Sequence, residues 1–594
     1  MDRLRLGIAA VAAITALDAG AARADEPKAV IEGVTDKALR QAIERYVGQT
    51  KRPPQSRVQA RRRAEEAAAD ATTVLRSEGY YDSTVTPDLT TAEHPKPLLR
   101  IDPGPRSTIA DPKLGWIDQQ PDDKTIADAS AAIQLEAGAP GRAADVVAAE
   151  GRVVGALEHD GYPDAKPEDR EVIVDHADHT LRPTFRIVAG RLVRLDGVQV
   201  KTAGRTNPKW VAHLAPWKTG ETYSPEPVAE LERRLLDTGV YDSVTVGLSP
   251  DPDPQGLRPV VVSLADRAKA TIALGASYST TEGAGVNGRF TTYNRLHRAD
   301  TISLSAQYGS ILRKVGAELT LPHWRKAQRT LRIGLTALQD DTDAYRERST
   351  GAHADIERRF GKTSFFTYGL SADYSHNDEK TLVGGLIVAK RRNLAMLTGL
   401  ARLSLDRSNN LLNPTQGWRF DGRVEPTLGA GDDTLVYAKA QAQVSGYIPL
   451  TKSGSTVIAG RLKLGSILSG SPTLDVPAPR RFFAGGGGSI RGFAYQAVGP
   501  RFPDNTPIGG QSVVESSVEL RQTFGRNWGA VAFIDSGTVS SDKYPNFKSF
   551  SVGAGVGVRY DLGFGPFRVD VGLPVTRRTG DAPFIVYLSI GQAF

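Results

Sequence analysis

TISLSAQY, at residues 301–308, alternates between polar and apolar side chains at every position. Successive side chains of a β-strand point to opposite faces, so Ile302 and Leu304 share one face and Ser303 and Ser305 the other. Stretches of the same kind occur on both sides of it: TIALGASYS, AELTL, LRIGLTAL, FRVDVGLPV and VYLSIGQAF. Polar segments rich in Gly, Asp, Asn and Lys separate them, and no helical period of useful length intervenes. The region is therefore predicted to consist of antiparallel strands.

Two architectures produce this pattern, a membrane β-barrel and a soluble sandwich with one solvated face. The alternating region runs from about Lys269 to the end of the sequence, which is more chain than a sandwich ordinarily uses. At roughly 20 residues per strand and connection, it would form about 16 strands. We expect a transmembrane antiparallel β-barrel over residues 267–594.

The N-terminal sequence, MDRLRLGIAAVAAITAL, has the features of a secretory signal peptide. Arg3 and Arg5 precede an apolar run at 6–17, and the small residues around 22–24 provide an A-x-A cleavage site. The run is shorter than the about 20 apolar residues of a transmembrane helix, and no later stretch is long and apolar enough for one. Residues 1–24 are expected to be a signal peptide, and the remainder to leave the cytoplasm.

Composition excludes several classes of function. The chain has no cysteine, so it has no disulfide framework, thiolate metal site or cysteine nucleophile. Its nine histidines show no ligand spacing, and no run of Lys and Arg is interleaved with aromatic residues as in nucleic-acid-binding proteins. No Gly-x-Ser-x-Gly motif is present. We therefore expect no enzymatic activity, no cofactor, no metal and no nucleic-acid partner.

A repeat precedes the alternating region. LRSEGYYDSTVTPDL (75–89) recurs as LEHDGYPDAKPED (157–169) and as LLDTGVYDSVTVGL (235–248). In every copy a glycine follows an apolar-periodic, charge-rich segment: Gly79, Gly161 and Gly239. A glycine there ends a helix, because it adopts the left-handed conformation without a Cβ clash. Short strands before and after the helices complete a β-α-α-β-β unit of roughly 80 residues.

The three α+β units are expected at residues 25–105, 106–190 and 191–266. In the middle unit, Pro163 and Lys166 interrupt the strand that follows the glycine. Unrelated α+β modules with similar helix ends are the alternative to a true repeat.

RRFFAGGGGSIRGF (480–493) places four glycines beside aromatic residues and Arg491. It could be a phosphate-binding loop, a flexible linker or a structural plug. A phosphate-binding loop needs a helix after its glycines, and its P-loop form also needs a Lys-Ser/Thr pair. Here no such pair follows, and the three prolines of AYQAVGPRFPDNTPIGG (494–510) prevent a helix. The phosphate interpretation is rejected.

The repeats resemble POTRA (polypeptide-transport-associated) domains. The Gly-Tyr-Tyr/Phe turn of that family is matched by the first and third repeats at Gly79, Tyr80, Tyr81, Gly239 and Tyr241. Such domains offer an exposed sheet edge, to which an extended client can add a strand through backbone hydrogen bonds.

Repeats followed by a barrel in an exported chain resemble the Omp85 superfamily of outer-membrane assembly and transport proteins. The stretches that carry the resemblance are GSIRGF (488–493), FIDSG (533–537), GGQSVVESSVELR (509–521), DRSNNLLNPTQGWRF (406–420) and the terminal SIGQAF (589–594). The resemblance implies that GSIRGF lies on a long loop after the eleventh strand. It also implies that the terminal strand, with Ile590, Gly591 and Phe594, closes the barrel at a lateral seam against the first strand, near 270–279.

Strand alternation supports a site around this loop. Val514, Val518, Leu520 and Ile534 are expected to face lipid. The residues expected to face the lumen are Glu515, Ser517, Glu519, Arg521, Phe533 and Asp535. A loop folded into the lumen would bring Arg491, followed by Gly492 and Phe493, to Asp535 with Glu519 nearby, where the guanidinium can bind a carboxylate with two hydrogen bonds. The alternative is an exposed loop arginine, which would contribute little.

The resemblance implies a non-enzymatic machine that inserts or secretes β-rich client proteins at the outer membrane, with the repeats in the periplasm. Three repeats resemble most the TamA family, the outer-membrane subunits of the translocation and assembly module, which is implicated in autotransporter biogenesis. That likeness implies unfolded outer-membrane or autotransporter clients and a TamB-like partner anchored in the inner membrane. A two-partner secretion transporter and a general barrel-assembly subunit are the alternatives within the superfamily.

Overall fold

The computed structural model describes residues 26–50, 52–91, 95–202, 204–280, 283–361, 363–562 and 566–590. They fall into two compact units. One contains the first two repeats, and the other contains most of the third repeat and everything that follows it. The predicted signal peptide at 1–24 lies outside the described residues.

The first repeat packs two helices against a three-stranded sheet. Its elements are β1 (Glu26–Pro27), β2 (Val30–Glu32), α1 (Lys37–Val47), β3 (Gln49–Thr50), α2 (Arg57–Ser77), β4 (Thr84–Leu89) and β5 (Pro97–Asp102). The sheet has the order β2-β5-β4, with β2 parallel and β4 antiparallel to the central strand. Asp36 and Ser56 cap the two helices by accepting backbone N–H hydrogen bonds.

The second repeat has the same order of elements with additional short strands. They are β6 (Thr108–Ile109), β7 (Lys113–Trp116), α3 (Asp123–Ala131), α4 (Ala143–His159), β8 (Lys166–Pro167), β9 (Glu171–Asp175) and β10 (Thr180–Val188). Strand β10 is central and pairs with the other four. The segment after Gly161, which contains Pro163 and Lys166, forms only the two-residue β8 before β9 begins.

The third repeat consists of β11 (Leu195–Thr202), α5 (Pro208–Ala212), α6 (Pro225–Leu236), β12 (Tyr241–Leu248) and β13 (Arg258–Asp266). Its sheet has the order β11-β13-β12. The glycines of the repeat follow α2, α4 and α6 and have φ values of +94°, +105° and +69°. An L-residue with a side chain rarely adopts this conformation, which explains why a glycine stands there in all three copies.

The rest of the chain forms a closed, antiparallel barrel of 16 strands. They are β14 (Ala270–Ser279), β15 (Gly283–Tyr293), β16 (Thr301–Gly309), β17 (Leu312–Leu321), β18 (Arg329–Asp341), β19 (Tyr345–Phe360), β20 (Ser364–Val383), β21 (Leu386–Asp406), β22 (Gly417–Gly431), β23 (Leu435–Pro449), β24 (Thr456–Ser469), β25 (Ser512–Phe524), β26 (Trp528–Ser540), β27 (Ser551–Asp561), β28 (Pro566–Pro574) and β29 (Ile585–Ile590). The predicted fold class and the strand number are confirmed.

The outer wall is apolar, as the alternation predicts. Leu304 and Tyr308 of β16 are exposed, and so are Leu335 of β18 and Ile534 of β26. A soluble protein would not leave so many large apolar side chains in water, whereas a barrel in lipid buries them in the bilayer. No helix in the described ranges is long and apolar enough to cross a bilayer.

One predicted lipid-facing residue differs from expectation. Val518 and Leu520 are exposed on the outer wall, but Val514 of the same strand is 2% exposed. The segment after β26 folds back over this part of the wall, where the Lys543 and Tyr544 carbonyls accept hydrogen bonds from Ser466 and Ser512. The period-two pattern assigns the face correctly, but it cannot show that a distant loop covers that face.

A long loop, residues 470–511, connects β24 to β25 and is buried rather than solvated. It begins with two short 3₁₀ helices, Thr473–Asp475 and Ala478–Arg480. Ile490 and Phe493 near its centre have no exposed surface. They belong to an apolar cluster with inward residues of the wall, including Val513 and Val539. The loop therefore fills part of the barrel interior, and we call it the lumen loop.

Because one face of the wall contacts lipid and the other contacts the lumen, a lysine introduced on each face should change the free energy of unfolding by different amounts. Leu335→Lys in the middle of β18 should lower the free energy of unfolding by roughly 2–4 kcal/mol, because a cation at the bilayer midplane loses its hydration. Thr336→Lys, one residue later and facing the lumen, is the matched control and should change it much less. Urea unfolding in phospholipid vesicles measures both, and equal losses would contradict the assigned faces.

Candidate functional site in the barrel lumen

Arg491 at the tip of the lumen loop is held by the inner wall. Its Nε and Nη2 atoms donate to the two carboxylate oxygens of Asp535 at 2.7 and 2.9 Å, and its backbone N–H donates to Asp535 Oδ2 at 3.0 Å. Nη1 lies 2.7 Å from Glu519 Oε1 and 3.3 Å from Asp570 Oδ2. We call Arg491 and these three carboxylates the loop clasp.

The alternation of the wall strands explains why these groups meet. Ser517 of β25 is directly opposite Asp535 of β26, and Glu519 is opposite Phe533, so all four project into the lumen. Ser517 Oγ donates to Asp535 Oδ1 at 2.5 Å. The guanidinium carbon of Arg491 lies 3.5 Å from the centre of the Phe533 ring, a cation–π arrangement.

The clasp is buried almost completely. Arg491 is 1% exposed, and Glu519, Asp535 and Asp570 are 0% exposed. Charges buried to this degree are tolerated because each has partners of opposite charge. The other arginines in contact with these carboxylates are Arg521 on Glu519, and Arg559 and Arg568 on Asp570.

Asp570 was not among the residues predicted from the sequence. It lies in FRVDVGLPV, and alternation places it on the face opposite Phe567 and Val569. The sequence could therefore have placed it in the lumen. Its distance from Arg491 could not be known, because β28 lies two strands from β26 around the wall.

Gly492 allows the tip to turn next to the wall and the terminal strand. Its φ is +95°, and a Cβ at this position would lie 2.6 Å from the Leu573 carbonyl oxygen of β28. The Gly492 N–H donates to the Tyr587 hydroxyl at 3.2 Å, and that hydroxyl donates to the Phe493 carbonyl at 3.2 Å. Tyr587 belongs to β29, so the tip is connected directly to the last strand.

The glycine-rich part of the loop is fixed through its backbone. Arg461 of β24 donates to the Gly488 and Ser489 carbonyls at 2.9 and 2.8 Å. Its guanidinium lies 3.5 Å from Glu515, which also accepts from Lys463 at 2.8 Å. Sequence alternation predicted that Glu515 faces the lumen, but gave no indication of its partners.

The start of the loop is held at a different part of the wall. Glu379 of β20 accepts from Arg481 at 3.2 Å and from the Ala478 N–H at 2.7 Å, and it also pairs with Arg392 of β21. Arg392 donates to the Asp475 and Leu474 carbonyls at 2.6 and 3.1 Å. We call Glu379, Arg392 and Arg481 the stem cluster. No sequence motif indicated it.

The first and last strands of the barrel pair with each other at a seam. In the described range, Tyr278 and Ser279 of β14 are in register with Leu588 and Tyr587 of β29. On its other side, β14 pairs with β15. The backbone of Ile590 pairs with Phe567 of β28. The predicted seam residues Gly591 and Phe594 lie outside the described residues.

The predicted turn of the first repeat lies at its contact with the second. Tyr80 packs against the core of the first repeat, and Tyr81 packs against the core of the second. Asp82, the next residue, accepts from His176 and His179 of the second repeat at 2.5 and 3.0 Å. These hydrogen bonds hold the pKa of Asp82 below its ordinary value.

The corresponding turn of the third repeat lies at its contact with the barrel. Gly239 is followed by Tyr241, whose hydroxyl is 2.7 Å from Thr206 Oγ1. Burial raises the pKa of Tyr241 to about 12. Thr206 in turn accepts from Asn294, just after β15, at 2.7 Å. Both tyrosine turns therefore connect a repeat to the next part of the chain, which the sequence did not indicate.

Comparisons with known proteins agree with this architecture. Residues 294–594 match the family model described as the Omp85 superfamily domain, and residues 28–103 match POTRA domain TamA domain 1. The outer membrane protein assembly factor BamA of Neorickettsia risticii is 23% identical over 436 residues, which cover 69% of this chain and 56% of that protein. BamA of Nitratidesulfovibrio vulgaris is 22% identical over 412 residues, covering 67% and 51%. The matches thus span about half the length of these curated relatives.

A solved structure has a similar fold. BamA from Haemophilus ducreyi lacking POTRA domains 1–3 superposes with a TM-score of 0.67 at 20% identity, covering 81% of this chain and 99% of that one. The described fold is thus an N-terminal POTRA region followed by an outer-membrane barrel, and its POTRA domains lie in the periplasm.

The loop clasp predicts how its variants behave. Arg491→Ala should leave a folded, membrane-inserted barrel but release the loop tip, because it leaves the buried Asp535 carboxylate without its cation, a loss of about 3–5 kcal/mol. Asp535→Ala should have the same effect. Limited proteolysis of the lumen loop in detergent measures the release, and heat-dependent gel mobility reports barrel integrity.

Arg407→Ala, at an exposed arginine of the turn after β21, is the control and should leave the loop resistant to protease. Resistance equal to wild type in both Arg491→Ala and Asp535→Ala would show that the clasp does not hold the loop.

Proposed function

This chain belongs to the Omp85 superfamily, and we propose that it is a non-enzymatic factor that inserts or secretes β-rich client proteins at the outer membrane. The observation that carries the proposal is the lumen loop, whose tip is clasped by the inner wall and bonded to the last strand. The loop fills part of the interior that an open pore would leave to water, and a passive porin would also lack periplasmic repeats.

The seam is the proposed place of insertion. Opening it would expose unpaired N–H and C=O groups of β14 and β29, and such groups are costly in lipid. A client strand that pairs with them removes this cost, so an open seam favours strand addition.

The POTRA repeats are the proposed receiving site for clients in the periplasm. We assign them to residues 25–105, 106–190 and 191–266, with the barrel at 267–594. Strand β4 lies at the edge of the first sheet and β12 at the edge of the third. Either edge can accept an extended segment by backbone pairing. The driving force would be client folding, because no nucleotide is needed for strand addition.

Within the superfamily we propose a TamA-like role in autotransporter assembly. The support is the match of the first repeat to POTRA domain TamA domain 1, together with three repeats in the chain. This role would include a TamB-like partner, anchored in the inner membrane, that docks on the first repeat. The names of the BamA relatives favour the alternative of a general barrel-assembly subunit. A two-partner secretion transporter remains a further alternative.

A reversible cross-link tests the seam. Because the chain has no cysteine, Tyr278→Cys with Leu588→Cys gives a single disulfide across β14 and β29, whose paired Cα atoms lie within bonding range. Oxidation should reduce insertion of an autotransporter barrel at least about tenfold, because each inserted strand must pass the seam. Adding reductant should restore it. Insertion into proteoliposomes measures the effect.

The matched control is Leu462→Cys with Ser516→Cys, a register pair across β24 and β25. Its oxidation should leave insertion unchanged. Wild-type insertion with the oxidised seam would rule out lateral opening.

Depletion of the protein followed by an outer-membrane proteome separates the possible roles. Loss of autotransporters alone would support the TamA-like role, because general barrel assembly would continue. Loss of all barrel proteins would support the general subunit, and loss of a single large exoprotein from the medium would support two-partner secretion. No change in any of these would contradict a role in assembly.

A further inference from the structure

The outer wall carries a row of polar side chains across neighbouring strands. Arg313 of β17 is in register with Gln339 of β18, which faces Arg348 of β19. The row continues through His376 of β20 to Asn393 of β21. These residues have the same parity as the exposed apolar residues Val315 and Tyr374, so they face away from the lumen. We call them the cationic row.

The row lies at the outer boundary of the apolar wall. From the periplasmic end of β20, the outward residues are Phe366, Tyr368, Leu370, Ala372 and Tyr374, and His376 comes next. A tilted strand crosses the hydrocarbon core in about 9–11 residues, and aromatic side chains mark both of its boundaries. The distance from Phe366 to His376 therefore places the cationic row at the level of the outer-leaflet headgroups.

The two arginines of the row have no carboxylate partner among the described residues. The Arg313 guanidinium lies over the Tyr308 ring, 5.1 Å from its centre, and Arg348 is exposed. The neighbouring row of outward-facing residues, one step closer to the cell exterior, differs because its arginines have carboxylate partners. There Arg346 is paired with Asp341 at 2.8 Å, and Arg391 is paired with Asp378 at 3.0 Å.

A concave groove in the outer wall lies beside the cationic row. Arg313, Arg348 and His376 line one part of it, and apolar side chains line another: Leu274, Val286, Val315 and Tyr374. The outward positions described on β22–β28 contain no Lys or Arg. The lipid-facing arginines and the groove therefore lie in the same part of the wall, which begins at β14 beside the seam.

We infer that this groove binds a phosphorylated glycolipid of the outer leaflet, of the lipid A class, through Arg313 and Arg348. Guanidinium groups bind phosphate with paired hydrogen bonds, and the apolar wall below can hold acyl chains. The two arginines are separated by one strand, which puts their Cα atoms about 10 Å apart. A disaccharide that carries two phosphates can reach both arginines, whereas a single phosphodiester reaches one.

The test compares lipid retention by the purified full-length protein in mixed detergent micelles, using native mass spectrometry. Wild type should retain bis-phosphorylated lipid A in preference to dephosphorylated lipid A and to phosphatidylglycerol. Arg313→Gln with Arg348→Gln should reduce retention of bis-phosphorylated lipid A at least about tenfold, because two charge-assisted contacts are lost. Heat-dependent gel mobility verifies that the variant barrel is folded.

Arg346→Gln with Arg391→Gln is the matched control, since it removes the same charge one row away from arginines that already have partners. It should retain lipid A as wild type does. Three results would overturn the inference: equal retention of lipid A with and without phosphate, retention of phosphatidylglycerol equal to that of lipid A, or unchanged retention in the Arg313 and Arg348 variant.

Discussion

The buried charge of Arg491 imposes the strictest constraint on the barrel. A guanidinium with 1% exposure is stable only where carboxylates surround it, and those of Glu519, Asp535 and Asp570 come from three separate strands. The register of these strands, the inward face of each carboxylate and the path of the loop must therefore all agree. The Gly492 turn completes the requirement, because a side chain there would collide with β28.

The lumen loop connects parts of the wall that are distant in sequence. Its stem is bonded to Glu379 and Arg392 on β20 and β21, and its tip is bonded to β26 and to Tyr587 on β29. A displacement of the last strand would therefore disturb the Tyr587 hydrogen bonds at the tip. The loop and the seam are coupled by direct contact, which is the physical basis for relating a buried ion pair to the proposed insertion of clients.

The sequence predicted those features that depend on local periodicity. Alternation predicted the strands and the inward faces of Glu519 and Asp535, the length of the alternating region favoured a barrel of about 16 strands, and the recurring glycine predicted the three helix ends. It could not give the stem cluster, because Glu379 and Arg481 are about a hundred residues apart and their contact depends on the path of the loop. The burial of Val514 under the segment near Tyr544 could not be predicted for the same reason. A distant segment that covers the wall produces no periodic pattern in the sequence.

The junction between the third repeat and the barrel bears on how a client would reach the seam. Tyr241, Thr206 and Asn294 form a buried chain of hydrogen bonds, and the Arg234 carbonyl accepts from His323 at 2.9 Å in the turn after β17. Burial lowers the pKa of His323. Strand β13 ends at Asp266 and β14 begins at Ala270, which leaves little chain for independent motion. A client strand bound at the edge of the third sheet would therefore be held at a fixed position relative to β14, the strand with which it is proposed to pair.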